Sequence, residues 1–210
     1  MKLRVCIPTA GIGSRLGSNV KNINKSLVSV DNRPTISHQI EYFPEDTEFV
    51  IPLGYKGESV KNFLKLAYPK KKFFFKKVSD FTSKNSGLGL SILECKRYLN
   101  QPFIFLSCDT LIKGSIPNLD SNWVGCAENV KNLTDYRTIS HKKNVAININ
   151  EKGSKRKKIL PYIGLCGVKD YDLFWKTMEL GGKSSIKIGE SFGLNELINL
   201  KSVQVHKFNW

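Results

Sequence analysis

The residues of this sequence that could do chemistry begin with two glycines, an arginine and a lysine near its start. Gly11 and Gly13 follow a short apolar stretch, and Arg15 and Lys25 come after them. Glycines allow backbone N–H groups to approach phosphate oxygens without a Cβ in the way. Arginine and lysine add positive charge where negative charge gathers during phosphoryl chemistry. The pattern therefore favours a site for a triphosphate.

This glycine pair fits neither of two common phosphate-binding fingerprints. The dinucleotide pattern would need glycine where Leu16 stands and an acidic residue about 20 positions further on. Gly17 comes one place late, and Asp31 does not end an obvious second strand. The Walker pattern G-x-x-x-x-G-K-[ST] is absent as well. A structural turn with incidental basic residues is the plainer alternative.

The motif A-G-x-G-S-R-L stands at residues 10–16, and N-K-S-L follows at 24–27. This combination resembles the signature of the sugar-nucleotide pyrophosphorylases, which are nucleotidyltransferases of the GT-A-like fold. The resemblance implies catalytic roles for Arg15, on the departing pyrophosphate, and for Lys25, near the α-phosphate. It also implies a nucleotide site that includes Thr9, Ala10, Gly11, Gly13 and Ser14.

A carboxylate, Asp109, follows the apolar segment Phe-Ile-Phe-Leu at 103–106. A hard carboxylate at the mouth of a triphosphate site is a natural Mg²⁺ ligand, with phosphate oxygens and water completing the shell. The metal motif of the family likewise places an aspartate after a hydrophobic strand. Many GT-A glycosyltransferases carry D-x-D here, whereas Ser107 replaces the first carboxylate, which favours nucleotidyl over glycosyl transfer. The alternative is that Asp109 only caps a turn before Leu111.

The segment 80–90 resembles the base-reading loop of the same family. The resemblance implies that Thr82, Ser86 and Gly87 contact the nucleotide, with Gly87 admitting the base or ribose closely. Thr82 stands roughly where the family often has glutamine, which leaves the identity of the base open. A plain glycine-containing helix start is the alternative.

Three further positions resemble the acceptor-binding residues of the family. Lys152, in Glu-Lys-Gly, is similar to the family's E-K-P lysine that holds the phosphate of the second substrate, although Lys157 and Lys158 compete for that role. Gly164 matches a glycine that admits the acceptor, and Glu190 matches a glutamate placed against sugar hydroxyls. For the last two, a purely structural role is an equal alternative.

Length and composition indicate one globular domain over residues 1–210, with 40% apolar residues. No apolar run reaches the length of a membrane span, and no signal-peptide pattern is present, so we expect a cytoplasmic protein without a membrane partner. The five cysteines are scattered without metal-ligand spacing, which argues against zinc and against a disulfide framework. The three histidines are isolated, and we interpret them as surface or packing residues.

The net charge of +15 also allows a nucleic-acid partner. Lysine and arginine runs stand at 70–72, 76–77 and 155–158. However, the sequence has no helix-turn-helix, RRM or OB pattern, and a positive field also draws anionic substrates into an enzyme. We therefore expect no nucleic acid.

Alternating apolar strands and helices must position these residues. In the first half, strands are predicted at 4–9, 47–52, 73–78 and 102–107, and helices at 35–42, 57–67 and 86–99. In the second half, strands are predicted at 123–128, 137–140, 145–150 and 162–168, an edge strand at 202–208, and helices at 170–180, capped by Asp170, and within 189–200. This order is typical of an α/β domain with a mainly parallel central sheet flanked by helices, and the resemblance implies a Rossmann-like GT-A nucleotidyltransferase fold. Ligands of such sheets bind at the carboxyl ends of the strands, where the glycine turn, Asp109 and the 80–90 loop all fall.

The resemblance implies in-line attack by a phosphate or phosphonate oxygen of a small acceptor, such as a phosphate ester or sugar 1-phosphate, on the α-phosphorus of an NTP. Mg²⁺ would be the cofactor, and N-K-S-L with a lone Asp109 slightly favours CTP. The resemblance also implies a role in the biosynthesis of capsule or cell-surface polysaccharides. Members of the family continue into W-x-D-(T/V)-G, which supplies a second Mg²⁺ ligand, and this sequence ends at Trp210 where that motif would begin. Fusion to or association with further biosynthetic domains is therefore a further expectation. The alternatives are a catalytically impaired or regulatory nucleotide-binding domain, a nucleic-acid-binding protein and an NAD-dependent dehydrogenase.

Overall fold

The computed structural model describes residues 2–13, 17, 21–154, 156 and 158–209. In this part of the chain the strands are β1 (Arg4–Cys6), β2 (Ser29–Val30), β3 (Arg33–Pro34), β4 (Glu48–Leu53), β5 (Lys72–Lys77), β6 (Phe103–Leu106), β7 (Asn122–Ala127), β8 (Thr138–Lys142), β9 (Val145–Asn150), β10 (Ile159–Val168) and β11 (Val203–Phe208). The helices are α1 (Thr35–Tyr42), α2 (Gly57–Ala67), α3 (Leu88–Leu93), α4 (Tyr171–Leu180), α5 (Gly182–Ile188) and α6 (Glu190–Leu200).

One large sheet organises the described residues, with nine strands in the order β5-β4-β1-β6-β10-β7-β11-β9-β8. β5, β4, β1 and β6 are mutually parallel, and β11 is parallel to β7. β10 runs antiparallel to β6, β7 and β8, and β9 runs antiparallel to β11 and β8. Apart from β9 and β10, the strands of this sheet therefore share one direction, and the predicted α/β fold with a mainly parallel sheet is confirmed.

Helices cover both faces of this sheet, which explains why β4 and β6 are buried along their whole length and read as continuous apolar runs. Successive residues of β1 point to opposite faces. Val5 joins an apolar cluster with Ile36 of α1 and Leu64 of α2. Cys6 joins the cluster on the other face, which includes Phe174 of α4. The central strands are thus fixed from both sides, and their carboxyl ends provide a rigid edge.

The helix predicted at 86–99 is shorter than expected. α3 ends at Leu93, and a separate 3-10 turn covers Lys96–Tyr98. At the C-terminal end of α3, the Glu94 carboxylate accepts a hydrogen bond from the Ser79 backbone N–H at 3.0 Å and pairs with Lys76 at 3.0 Å. These contacts tie the end of the helix to the chain after β5.

Three details of the second half also differ from the sequence-based predictions. β11 is not an edge strand, because it lies between β7 and β9. Asp170 does not cap α4 with its side chain; instead its carboxylate accepts a hydrogen bond from Asn122 Nδ2 at 2.6 Å. The short helix α5 lies where no helix is predicted, and it begins at Gly182, a residue type that disfavours helices.

Among the described residues, no helix combines the length and apolar character needed to cross a membrane. All five cysteines are buried and free, as expected for small apolar residues of the core.

Candidate active site

A cleft with a volume of about 520 Å³ opens at the carboxyl ends of β1 and β6. It brings together residues from three distant parts of the sequence. The predicted residues that line it are Ala10, Gly11, Gly13, Lys25, Ser86, Gly87 and Asp109. The glycine turn, the lysine, the carboxylate and the 86–87 loop thus converge, as the sheet topology predicts.

The glycine turn leaves open space beside the cleft. A Cβ added at Gly11 would meet no heavy atom within 4 Å, and Gly13 has a φ of +71°. Only glycine adopts such a backbone at no steric cost, so the turn can expose N–H groups where a phosphate would lie. Thr9 is not among the described residues that line the cleft, and its buried hydroxyl donates to Pro52 O at 2.8 Å. Ser14 and Arg15 lie outside the described residues.

Lys25 is held by its two neighbours in the N-K-S motif. Asn24 is fully buried, and its Nδ2 donates to Thr9 O at 2.8 Å and to Tyr55 O at 2.6 Å. Its Oδ1 accepts from the Ser26 backbone N–H at 3.0 Å and from the Ser26 hydroxyl at 2.8 Å. The Asn24 side chain therefore ties the lysine segment to the end of β1 and to the chain after β4.

Replacing Asn24 by alanine is expected to lower the free energy of unfolding by about 2 to 3 kcal/mol, because buried carbonyl groups lose their donors. Urea denaturation followed by circular dichroism measures this change. Asn199→Ala is the matched control, since Asn199 is exposed on α6, and it is expected to change stability by less than about 0.5 kcal/mol. Equal effects of the two substitutions would contradict the anchoring role of Asn24.

Asp109 faces Lys25 across the cleft. Its Oδ2 forms an ion pair with Lys25 Nζ, and its Oδ1 accepts a hydrogen bond from the Ser107 hydroxyl at 2.9 Å. Burial opposes ionisation of the carboxyl, but the ammonium of Lys25 and the Ser107 hydroxyl outweigh it and lower the pKa of Asp109. Asp109 is therefore an anion at neutral pH, as a metal ligand must be.

The turn that carries Asp109 is fixed against β10. The Ser107 backbone N–H donates to Gly164 O at 2.7 Å, and the Thr110 hydroxyl donates to Ile163 O at 2.6 Å. Gly164 has a φ of +70°, and a Cβ there would lie 2.7 Å from Ser107 Cβ. Gly164 therefore permits the close approach of β10 to this turn, and the structure places it beside Asp109.

The 80–90 loop contributes Phe81, Ser86 and Gly87 to the wall of the cleft, whereas Thr82 is exposed and does not line it. Asp80 shapes the loop by accepting backbone N–H hydrogen bonds from Thr82 and Ser83, both at 3.0 Å. A Cβ at Gly87 would lie 2.3 Å from the carbonyl oxygen of Ile186 in α5. The glycine is thus needed for packing on α5, in addition to its position in the cleft.

Lys152 and Glu190 do not line this cleft. Lys152 is exposed on a turn after β9, and Lys158 is exposed on the same loop, whereas Lys157 lies outside the described residues. Glu190 begins α6 and is only 4% exposed. Its preceding residue, Gly189, packs on Leu88, which does line the cleft.

The carboxyl of Glu190 is in an unusual environment. Its Oε1 accepts from the Ser191 hydroxyl at 3.3 Å. The Tyr162 hydroxyl is close, but neither it nor Oε2 makes a hydrogen bond of normal geometry among the described residues. Burial raises the pKa of Glu190, and the charge of Arg137 only partly opposes this effect.

Glu190→Gln is expected to make stability less dependent on pH above the ordinary glutamate value of 4.5. Because the folded protein keeps the proton to a higher pH than the unfolded chain does, stability of the wild type falls as the pH rises through this range. Gln cannot ionise, so the variant should gain stability relative to the wild type between pH 5 and 8, as measured by urea denaturation. Glu58→Gln, at an exposed position of α2, should give a constant difference. A constant difference for Glu190→Gln too would refute this prediction.

Sequence reasoning missed the residues that support the charged pair. Asn24 and Ser26 belong to the N-K-S-L motif, but the sequence alone does not show that both are buried. Their burial explains why the motif has these small polar residues beside the lysine. Ser107 and Phe81 flank predicted positions, and only the fold shows that they reach the cleft. Among the described residues, no group of three or more histidine, cysteine, aspartate or glutamate side chains could hold a metal ion.

Known proteins share parts of this sequence and the whole of this architecture. No protein-family model matches the sequence. A choline-phosphate cytidylyltransferase of Streptococcus pneumoniae is 32% identical over 83 residues, which are 39% of this chain. The match spans only 36% of that relative's own length.

Solved structures match over the whole chain. A UDP-glucose pyrophosphorylase complexed with UDP-glucose aligns with a TM-score of 0.76 and 18% identity, over 100% of this chain and 91% of that one. A CTP:phosphocholine cytidylyltransferase from Streptococcus pneumoniae aligns with a TM-score of 0.75 and 16% identity over the same shares. An inositol-1-phosphate CTP transferase from T. maritima aligns with a TM-score of 0.74 and 14% identity, over 99% and 86%.

These relatives are nucleotidyltransferases that differ in nucleotide and acceptor. Identities of 14 to 18% over whole chains establish a common architecture. The resemblance drawn from the sequence motifs is thereby confirmed at the level of the fold: this chain has the architecture of the sugar-nucleotide pyrophosphorylases and related NTP transferases.

Proposed function

We propose that this protein is a nucleotidyltransferase that transfers a nucleoside monophosphate from an NTP to a phosphorylated small molecule or sugar 1-phosphate and releases pyrophosphate. The observation that carries this proposal is the convergence of the Gly11–Gly13 turn, Lys25 and Asp109 in one cleft. A glycine turn with free space beside it, a fixed cation and a fixed carboxylate are what a metal–triphosphate complex requires.

In this mechanism the residues act by position and charge. The backbone of the glycine turn holds the triphosphate, and the Lys25 ammonium stabilises negative charge on the α-phosphate as the acceptor oxygen attacks it in line. The bond from the α-phosphorus to the bridging oxygen breaks, and pyrophosphate leaves with the electron pair. Arg15 is our candidate for binding that leaving group. A covalent enzyme intermediate is not required.

Magnesium is the cofactor that we infer. Asp109 would hold it, because its carboxylate is ionised and its Oδ1 is already oriented by the Ser107 hydroxyl. A single carboxylate suits Mg²⁺, which usually keeps several waters and takes further oxygens from substrate phosphates. When bound, the metal would neutralise phosphate charge.

CTP is the nucleotide that we favour. The sequence argument is the combination of N-K-S-L with a lone aspartate, and the curated relative at 32% identity over 83 residues is by its name a cytidylyltransferase. Phe81 in the cleft wall suits a nucleobase, because a base can stack on an aromatic ring.

A regulatory nucleotide-binding domain is the second candidate. It is favoured by one observation: Asp109 is the single carboxylate among the described residues that line the cleft. Such a domain would bind the same nucleotide and metal without turnover.

Thermal shift with CTP, UTP, dTTP, ATP, GTP and NAD, each with and without Mg²⁺, tests binding. A ligand at a hundred times its Kd stabilises the folded state by about 2.7 kcal/mol. We expect one pyrimidine triphosphate with Mg²⁺ to give the largest shift, and a response to NAD alone would favour a dehydrogenase.

Pyrophosphate release in the presence of that nucleotide then tests turnover, with phosphocholine, inositol 1-phosphate and glucose 1-phosphate as acceptors. Turnover with any of them supports the transferase. Binding without turnover on a broader set of phosphate esters would favour the regulatory domain, and a panel without any shift would overturn both proposals.

A further inference from the structure

Gln39 of α1 reaches across the fold to the turn that carries Asp109. It is 2% exposed, and its Nε2 donates hydrogen bonds to Ser107 O and to Thr110 O, both at 2.8 Å. The two carbonyls stand on either side of Asp109 in the chain. One side chain therefore uses both of its N–H donors to close the ends of a four-residue turn.

The turn has two hydrogen bonds of its own. The Thr110 backbone N–H donates to Ser107 O at 3.0 Å, and the Ser107 hydroxyl donates to Asp109 Oδ1 at 2.9 Å. Both involve Ser107, so the orientation of Asp109 also depends on how the two ends of the turn are held. Gln39 holds them from α1, while β10 holds them from the other side through Ile163 and Gly164.

The amide group of Gln39 suits this contact, because its two N–H donors meet two carbonyl oxygens. With Nε2 fixed by two carbonyls, Oε1 is directed elsewhere and has no hydrogen-bond partner among the described residues. The residue also lines a cavity whose walls include the apolar Leu111 and Ile112 as well as polar residues. A methionine of similar size would avoid the unpaired oxygen, so a glutamine is a poor choice here unless its two donated hydrogen bonds matter.

The same helix is tied to the lysine segment. The backbone N–H of Thr35, the first residue of α1, donates to Val28 O at 2.9 Å, and its hydroxyl donates to the same oxygen at 2.8 Å. Val28 follows the 3-10 turn that begins at Lys25. α1 thus links the segment that carries the cation to the turn that carries the carboxylate.

We propose that Gln39 is a positioning residue, which orients the Asp109 turn so that the carboxylate can hold a divalent metal next to Lys25. The proposal rests on the proposed function, because it concerns the metal site of that reaction. Outer-shell residues of this kind act on metal affinity through the ligand that they orient.

The test is the affinity of Gln39→Met for the Mn²⁺·CTP complex, measured by water-proton relaxation as protein is titrated into it. We expect affinity about tenfold weaker than that of the wild type. Gln101→Met is the matched control, because Gln101 is also buried and its Nε2 donates to a backbone carbonyl, Lys2 O, at 2.8 Å. Gln101 lies before β6, at the opposite end of that strand from Asp109. The Gln101→Met variant should therefore be less stable than the wild type but bind Mn²⁺·CTP with unchanged affinity.

Gln39→Glu provides a second variant, since it keeps the volume and removes both donors. Weaker Mn²⁺·CTP binding by folded Gln39 variants, with unchanged binding by Gln101→Met, supports the proposal. Unchanged binding by the Gln39 variants, or failure of both of them to fold, would show that Gln39 only stabilises the fold. If the wild type itself does not bind Mn²⁺ with CTP or another NTP, the proposed function fails first.

Discussion

Asp109→Asn is expected to reduce kcat/KM for nucleotidyl transfer about a thousandfold, an effect of the size seen when one preorganised charge interaction is lost. The substitution keeps the shape of the side chain and removes the negative charge that would hold Mg²⁺. Pyrophosphate release at varied nucleotide concentration measures the loss, and raising the Mg²⁺ concentration should recover only a small part of it.

Stability separates this loss from unfolding. The Lys25–Asp109 pair is partly exposed, with 26% and 48% of the side-chain surfaces accessible. Such pairs contribute less than about 1 kcal/mol, so Asp109→Asn should remain folded. Asp120→Asn changes an exposed aspartate further along the same connection and should leave turnover unchanged. A folded Asp109→Asn variant with wild-type turnover would rule out the assigned metal ligand.

Lys25→Met is expected to lower kcat about a hundredfold, because the ammonium would stabilise charge that develops on the α-phosphate. KM for the nucleotide should rise less than kcat falls if this stabilisation is greater in the transition state than in the ground state. Steady-state kinetics with varied nucleotide concentration measure both parameters.

Lys61→Met is the matched control for this change, since Lys61 lies on α2 and pairs only with Glu58 at 3.5 Å among the described acidic residues. It should leave both parameters within about twofold of the wild type. If Lys25→Met raised KM alone, the lysine would serve binding rather than the chemical step.

The architecture could be predicted from the sequence because the strands of the first half are short apolar runs separated by clear helical periodicity. β1, β4 and β6 needed no long-range information, and their parallel arrangement follows from the alternation with α1 and α2. The same logic predicted that the glycine turn and Asp109 would meet at one edge, which the cleft shows.

Other features depend on contacts that a sequence does not display. Gln39 lies 68 positions before Ser107, and its local pattern is simply that of a helical residue. The interior position of β11 depends on the order of the strands in the second half of the sheet. The alternating pattern of β11 does not reveal this order, because it also suits an edge strand. Glu190 resembles an acceptor-binding glutamate in the sequence, and only the fold shows that it is buried at the start of α6.

The ion pair between Lys25 and Asp109 has a consequence for the order in which substrates arrive. Lys25 and Asp109 neutralise each other, so neither charge is free to bind a ligand while the pair is intact. A free divalent cation would have to displace the ammonium without giving it a new counter-ion, whereas a triphosphate provides that counter-ion and frees the carboxylate. Under the proposed function, we therefore expect nucleotide and metal to enter together and the acceptor to bind after the Lys25–Asp109 pair has separated.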